Sequence, residues 1–111
     1  MKRIEAIIQP HKLSKVVTAL HGLPSFPGFT VLDAHGQGHG RGKGGNFTYN
    51  NNDGLLYHRR CVFVVLCDED CAASIVETIV SAAHTGQAGD GLISVVNVDA
   101  LVRIGKPEGS A

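Results

Sequence analysis

The chain repeats one order of apolar patterns, and this repeat limits the fold more than any other feature. Residues 2–9 alternate charged and apolar side chains before Pro10, which predicts a short strand meeting a turn. From Leu13, apolar residues recur at three- and four-residue spacing until Gly22, as in an amphipathic helix. Residues 29–35 contain β-branched side chains and end at glycine. The first half therefore predicts strand, helix, strand.

The second half repeats this order. Residues 61–67 are a continuous apolar run bounded by charges, which predicts a strand covered on both faces. Acidic residues at 68–70 then open a helix whose apolar stripe continues to His84. After a loop with further glycines, the apolar residues of 92–104 predict a fourth strand.

The order βαββαβ predicts a ferredoxin-like fold of the α+β class, with a four-stranded antiparallel sheet and two helices on one of its faces. A chain of 111 residues is one domain by length. It buries only about two-thirds of its unfolded surface, so added burial between subunits is expected. Because helices cover one face while the strands are apolar on both, the other face is predicted to pack against copies of the chain. A half-solvated sheet is the alternative.

Composition excludes several classes of function. Ten Lys+Arg balance ten Asp+Glu, so no overall positive field attracts nucleic acid or an anionic membrane. The first residues lack the apolar core of a secretory signal, and no apolar stretch has the length of a membrane span. We therefore expect a cytoplasmic protein without membrane insertion, whose three cysteines are reduced thiols.

Two glycine-rich loops are candidate anion sites. In residues 36–45, six of ten are glycine, and His39, Arg41 and Lys43 alternate with them. Such a backbone can direct several amides at one phosphate or carboxylate, although a flexible linker is an equal alternative. In residues 85–91, Gly89 and Gly91 could present amides to a phosphate while Asp90 orients the turn or pairs with a base. A plain helix-to-strand connection is the alternative there.

Four segments together resemble the PII signalling proteins over essentially the whole chain. They are residues 1–10 followed by Lys12 and Leu13, residues 28–31, the loop 85–91 and the glycine-rich insertion, which occupies the place of the T-loop at about 37–58. The resemblance implies a single domain spanning 1–111 and a homotrimer of ferredoxin-like subunits. It also implies a regulator without catalytic residues, cofactor or metal. Adenine nucleotides would bind in clefts between subunits, and the T-loop would dock on a target protein.

The resemblance also implies a set of site residues. Ile7, Thr30 and the backbone around Leu66 would surround the adenine, with Gly36, Gly38 and His39 at the base of the T-loop. The phosphates would meet the amides of Gly89, Asp90 and Gly91 and the side chain of Arg103, and Arg41 and Arg60 would serve a second anion.

Departures from the family pattern change the expected ligands. Leu92 replaces a phosphate-binding lysine and Gly105 replaces a second arginine, so we expect ADP or AMP to compete better against ATP. Lys106 or Arg41 could compensate. Gly40 stands where a glutamine helps to hold magnesium and 2-oxoglutarate, although Arg60 occupies roughly the place of the lysine that pairs with that acid. The context of Tyr49 and Tyr57 does not match the tyrosine that is uridylylated.

This pattern resembles divergent PII-like branches associated with inorganic carbon and carboxysomes, or with metal transport. In the carbon branch, bicarbonate accompanies the nucleotide, and Arg41 or Arg60 could hold it. The expected target is then a transporter or a metabolic enzyme. A nitrogen regulator that senses ATP with 2-oxoglutarate is an alternative.

Three other functions are less favoured by the sequence. A metal site could use His35 with His39 or Cys67 with Cys71, but neither pair lies within one helix where four-residue spacing aligns ligands. An enzyme would need an oriented nucleophile, and the best pair, His58 and Cys61, points to opposite faces of a strand. Nucleic-acid binding would rest on the cations and aromatic residues of one short loop, at Arg41, Lys43, Phe47 and Tyr49.

Overall fold

The computed structural model describes residues 1–36 and 58–105. Its elements are β1 (Lys2–Ile8), a 3₁₀ turn (Pro10–Lys12), α1 (Leu13–His21), β2 (Thr30–Gly36), β3 (His58–Cys67), α2 (Glu69–Ala83) and β4 (Gly91–Asn97). The predicted order βαββαβ is confirmed. Gly22 ends α1 as predicted, and Asp68 precedes α2, whose first turn contains Glu69 and Asp70.

The four strands form one antiparallel sheet in the order β2-β3-β1-β4. The two central strands are β3 and β1, and on β1 Ile7 lies opposite Val62 of β3 on one side and Leu92 of β4 on the other. This topology confirms the predicted ferredoxin-like arrangement. Each edge strand is far in sequence from the strand with which it pairs: β2 ends at Gly36 and β3 begins at His58, while β1 ends at Ile8 and β4 begins at Gly91. Neither pair is therefore joined by a short hairpin turn.

Alternate residues of the two central strands form the core with the helices. The fully buried side chains come from β1, β3, α1 and α2 and include Ile4, Ile8, Phe63, Val65, Val16, Leu20, Ile75 and Ile79. The intervening residues of β3 face away from the helices: Val62 and Val64 are half-buried and Leu66 is exposed. The two helices of the single chain cover only one face of β3, and the cover of its other face by copies of the chain stays a prediction.

The fourth strand is shorter than predicted. It ends at Asn97 rather than continuing to residue 104. The reason is the length of its partner: Asn97 lies opposite Lys2, the first residue of β1, and the Val98 amide makes one more hydrogen bond, to the carbonyl of Met1 at 3.1 Å. Beyond that point β1 offers no backbone to pair with, so apolar residues such as Val102 and Ile104 remain exposed. Within residues 1–36 and 58–105, no helix has the length and apolar character to span a membrane.

Adjacent residues of α2 test the position of the core. Ile79→Ala should lower the free energy of unfolding by about 2 to 5 kcal/mol, because this side chain is fully buried beneath the sheet. Val80→Ala removes a similar side chain that is 51% exposed and should cost less than about 1 kcal/mol. Chemical denaturation at one protein concentration measures both. Equal losses would contradict the assigned helix face.

Candidate functional site

The loop from His84 to Gly91, here called the Asp90 loop, is organised by one carboxylate. Oxygen Oδ2 of Asp90 accepts hydrogen bonds from the backbone amides of Thr85 at 2.8 Å and Gly86 at 3.2 Å. The hydroxyl of Thr85 donates to Oδ1 of Asp90 and accepts from the amide of Gln87 at 3.1 Å. Asp90 therefore closes the loop from within, as the orienting role predicted from the sequence requires.

These hydrogen bonds favour the charged form of the carboxylate. The hydroxyl of Thr85, followed by the Thr85 amide, lowers the pKa of Asp90 below its ordinary value. Partial desolvation opposes them, and the Gly86 amide and the nearby His84 add smaller lowering effects. Asp90 is consequently ionised at neutral pH, and its oxygens are occupied by the loop itself.

The backbone conformation of the Asp90 loop favours glycine at three points, the first of which is Gly86 with φ +85°. Gly89 has φ +88° and Gly91 has φ +114°, both in the region that side chains disfavour. At Gly91 a Cβ atom would also stand only 1.8 Å from the carbonyl oxygen of Ile7. This close approach allows Gly91 to pair with Ile8 and lets β4 begin directly after the loop. The predicted site residues Ile7 and Gly91 therefore touch through their backbones.

Two polar side chains from the sheet border the outer part of the loop. The amide of Gln9 donates from Nε2 to the carbonyl of Gly89 at 3.0 Å. The guanidinium of Arg60 places Nη2 3.4 Å from the position that a Cβ on Gly89 would occupy, while its Nη1 donates to the carbonyl of Arg59 at 2.9 Å. A permanent positive charge thus stands beside loop glycines. Such a charge favours an anion at this loop.

Sequence reasoning did not identify Gln9 or His84 as part of this site. Gln9 directly follows β1, and its long amide reaches across to the loop. His84 follows α2 and places Nδ1 3.4 Å from Oδ2 of Asp90. For His84 the available signal was a polar side chain at the end of a helix that leads into a glycine-rich loop, whereas Gln9 leads into the turn at Pro10 and had no such signal.

The predicted site residues separate into two groups on the sheet. Ile7, Gly36, Arg60 and residues 89–91 lie toward the end of the sheet that carries the Asp90 loop. Thr30 lies opposite Val64, and Leu66 lies four residues beyond Val62 on β3, about 13 Å further along the strand. Arg103 is exposed in the segment after β4. One chain therefore does not surround a single ligand with all of these residues.

Other predicted residues lie outside the part of the chain that the structure describes. Gly38, His39 and Arg41 fall there, as do Gly40 and the tyrosines at 49 and 57. The less favoured metal alternative at His35 and His39 also includes a residue outside this part of the chain. Within residues 1–36 and 58–105, no three His, Cys, Asp or Glu side chains are grouped as metal ligands.

The thiols in β3 are poorly suited to nucleophilic chemistry. Cys61 and Cys67 are free and buried, and burial is the largest cause that raises the pKa of each thiol. A second cause is negative charge nearby, from Asp33 for Cys61 and from Cys71 for Cys67. Both are therefore protonated at neutral pH, as expected of cysteines that fill a core.

The sheet face turned away from the helices carries exposed apolar side chains around an ion pair of β1, in which Nη1 of Arg3 donates to Oε2 of Glu5 at 2.8 Å. Four large side chains on this face are more than two-fifths exposed: Leu32, Leu66, Leu92 and Val96. Strand pairing places them on the same side as Ile7 and Thr30. We call this surface the open face.

Comparison with known proteins gives a consistent family. The family model described as nitrogen regulatory protein P-II matches residues 1–108. Nitrogen regulatory protein P-II of Rhizobium meliloti is 42% identical over 106 residues, which cover 94% of this chain and 91% of the relative. The protein of that name from Azospirillum brasilense is 39% identical over 105 residues, with the same coverage. Nitrogen regulatory protein P-II 2 of Methanothermobacter thermautotrophicus is 41% identical over 106 residues, covering 94% of this chain and 89% of the relative.

Gly91 is required both by its positive φ and by its close approach to Ile7, and comparison with Gly28, which has only the positive φ, separates these two reasons. Gly28→Ala forces alanine to φ +102° but meets no atom within 4 Å, so it should cost about 1 to 2 kcal/mol. Gly91→Ala adds the collision with Ile7 and should cost about 3 kcal/mol or more. The free energy of unfolding from denaturant titration measures both. A smaller loss for Gly91→Ala than for Gly28→Ala would exclude the close approach.

The link between Thr85 and Asp90 predicts an acid-dependent loop. Because the pKa of Asp90 is lower in the folded than in the unfolded chain, its hydrogen bonds stabilise the protein above about pH 4 and are lost as pH falls through the folded pKa. Thr85→Val should raise that pKa toward its ordinary value, so the loss begins at higher pH. Carbon NMR titration of the carboxyl measures it. Thr78→Val, which removes a hydroxyl bonded to Ser74 on α2, should leave the Asp90 titration unchanged.

Proposed function

Because the chain belongs to the nitrogen regulatory protein P-II family, whose members are signalling regulators and not enzymes, we propose that it senses adenine nucleotides and reports them to a target protein. The ligand is an adenine nucleotide, with ADP or AMP favoured over ATP. The nucleotide orders the T-loop, at about residues 37–58, and the ordered loop docks on the target. The observation that carries this proposal is the Asp90 loop with Arg60 at its edge.

The Asp90 loop has the properties of a phosphate-binding loop. Its glycines allow a backbone conformation that can direct amides at an anion, and its one carboxylate is held by the amides of Thr85 and Gly86. Arg60 adds a positive charge beside Gly89. A phosphate would therefore meet hydrogen-bond donors and a cation on a backbone that is already ordered, which reduces the entropy lost on binding.

The two groups of site residues support a cleft between subunits. Thr30 and Leu66 lie on the open face but well away from the Asp90 loop. In a homotrimer built through the open face, Thr30 and Leu66 of one copy would approach the Asp90 loop of the next, and Arg103 would reach the phosphates. The same contact would cover the exposed apolar side chains of that face.

The residue after the loop supports the preference for fewer phosphates. Leu92 follows Gly91 directly and is 62% exposed, so an apolar side chain occupies the start of β4. A lysine at this place would add a charge-assisted contact worth about 1.5 to 3 kcal/mol to a phosphate group. Because Leu92 cannot make this contact, the additional phosphates of ATP add less binding free energy relative to ADP or AMP.

The second ligand and the pathway follow from Arg60 and the divergent T-loop sequence. Arg60 could hold bicarbonate beside a nucleotide with few phosphates, as in a cytoplasmic regulator of inorganic-carbon or metal transport, or of a metabolic enzyme. A second candidate is nitrogen regulation through ATP and 2-oxoglutarate. The names of the relatives favour it, since each is a nitrogen regulatory protein.

Restoring the lysine tests the proposed ligand preference. Leu92→Lys should strengthen ATP binding by about tenfold or more and AMP binding much less, because only the additional phosphates gain a contact. Isothermal titration of the purified trimer with ATP, ADP and AMP measures this. Ala73→Lys adds the same charge at an exposed position near the start of α2 and should leave the three affinities in their original order.

Two results of this experiment would contradict the proposal. A monomeric protein that binds none of the nucleotides would exclude the inter-subunit site, and a strong ATP preference in the unmodified chain would exclude the ADP or AMP preference. Repeating the titrations with bicarbonate and with 2-oxoglutarate separates the two candidate pathways. Tighter binding of ATP with 2-oxoglutarate, and no effect of bicarbonate, would favour nitrogen regulation.

A further inference from the structure

His84 occupies a fixed position at the edge of the Asp90 loop. It is the residue that ends α2, and its backbone amide donates to the carbonyl of Val80 at 3.0 Å. Its side chain is 67% exposed, and Nδ1 lies 3.4 Å from Oδ2 of Asp90. The other ring nitrogen, Nε2, lies 3.9 Å from the position that a Cβ on Gly86 would occupy. Nδ1 thus faces the carboxylate of Asp90. Nε2 lies beside Gly86, which has no side chain to shield this nitrogen from a ligand.

The groove beside His84 contains one other titratable side chain among its described lining residues, Asp90. This groove of about 380 Å³ lies between α2 and β4. The neighbours on α2 and β4 are apolar and include Val80 and Leu92. Across the loop, β3 contributes Arg60 beside Gly89. The hydrogen bonds of the loop hold Asp90 in its charged form, whereas histidine side chains in general can gain a proton within the physiological range.

We propose that His84 is a proton-dependent contact for a phosphate of the bound nucleotide, in place of the lysine that is absent at position 92. This inference rests on the proposed nucleotide binding. In the neutral imidazole, the carboxylate of Asp90 favours the proton on Nδ1, so Nε2 carries a bare lone pair that repels phosphate oxygens. A proton taken from solvent onto Nε2 makes that nitrogen a charged donor and offsets the negative charge of Asp90.

The proposal predicts that nucleotide binding is coupled to proton uptake. ADP affinity should fall by about tenfold between about pH 6 and about pH 8, because the charged contact is lost as the imidazole deprotonates. Isothermal titration with ADP across this range measures the slope, and buffers of different ionisation enthalpy measure the protons taken up. The terminal phosphate of ADP also titrates, so the informative quantity is the difference between variants.

His84→Gln is the test variant, since glutamine keeps a polar side chain but has no charge to gain. This variant should bind ADP more weakly at low pH. Its ADP affinity should also change less with pH, because only the titration of the ADP phosphate remains. His21→Gln is the matched control, because His21 is an exposed histidine at the end of α1 that packs against Phe26. It should retain both the slope and the proton uptake. A His84 that only stabilises the loop would lower the melting temperature of the variant and leave the pH slope unchanged, which would overturn the proposal.

A second measurement does not depend on how the variant folds. In the unmodified protein, NMR of the His84 ring should show that a larger fraction of the rings carries a proton on Nε2 when ADP is added at neutral pH. Unchanged ring signals with bound ADP would overturn the role of His84 while leaving nucleotide binding intact. Absence of any ADP binding would instead overturn the proposed function, and this inference with it.

Discussion

The two helices cover one face of the sheet, and the other face carries exposed apolar side chains beside the ion pair of Arg3 and Glu5. Ile4, Ile8 and Phe63 point toward the helices and are buried, while Leu66 and Leu92 lie on the open face and remain accessible. Hydrophobic surface of this extent favours contact with other protein. The proposed trimer, and the cleft that would bring Thr30 and Leu66 of one copy to the Asp90 loop of another, depend on this one-sided coverage.

Within the chain, the Asp90 loop is held by its own hydrogen bonds. The Asp90 carboxylate accepts hydrogen bonds from the amides of Thr85 and Gly86. Gly91 allows the start of β4 to lie against the backbone of Ile7. These local contacts fix the backbone that would meet a phosphate. The charges around it differ in kind: Arg60 is permanently positive, Asp90 is held in its negative form, and His84 can gain a proton. The contact proposed for His84 would link anion binding at this loop to pH.

Sequence patterns predicted most of the fold because each element has a strong local signal. The alternation before Pro10, the helical spacing that ends at Gly22 and the acids that open α2 all act within a few residues of the element they define. The end of β4 has no such signal, since residues up to 104 are as apolar as a strand requires. It is set by the first residue of β1, far away in sequence. For the same reason, the apolar run of β3 does not itself show what covers each of its faces.

For the candidate site, the sequence by itself determined the glycines of residues 85–91 and an acid among them, since chain flexibility and charge are properties of residue type. Only the tertiary structure decided that Gln9 and Arg60 border Gly89, that Gly91 must lack a side chain because of Ile7, and that His84 faces Asp90. Except for the contact between His84 and Asp90, these contacts join residues that are far apart in sequence. Their distances depend on how the elements pack, which no local pattern specifies.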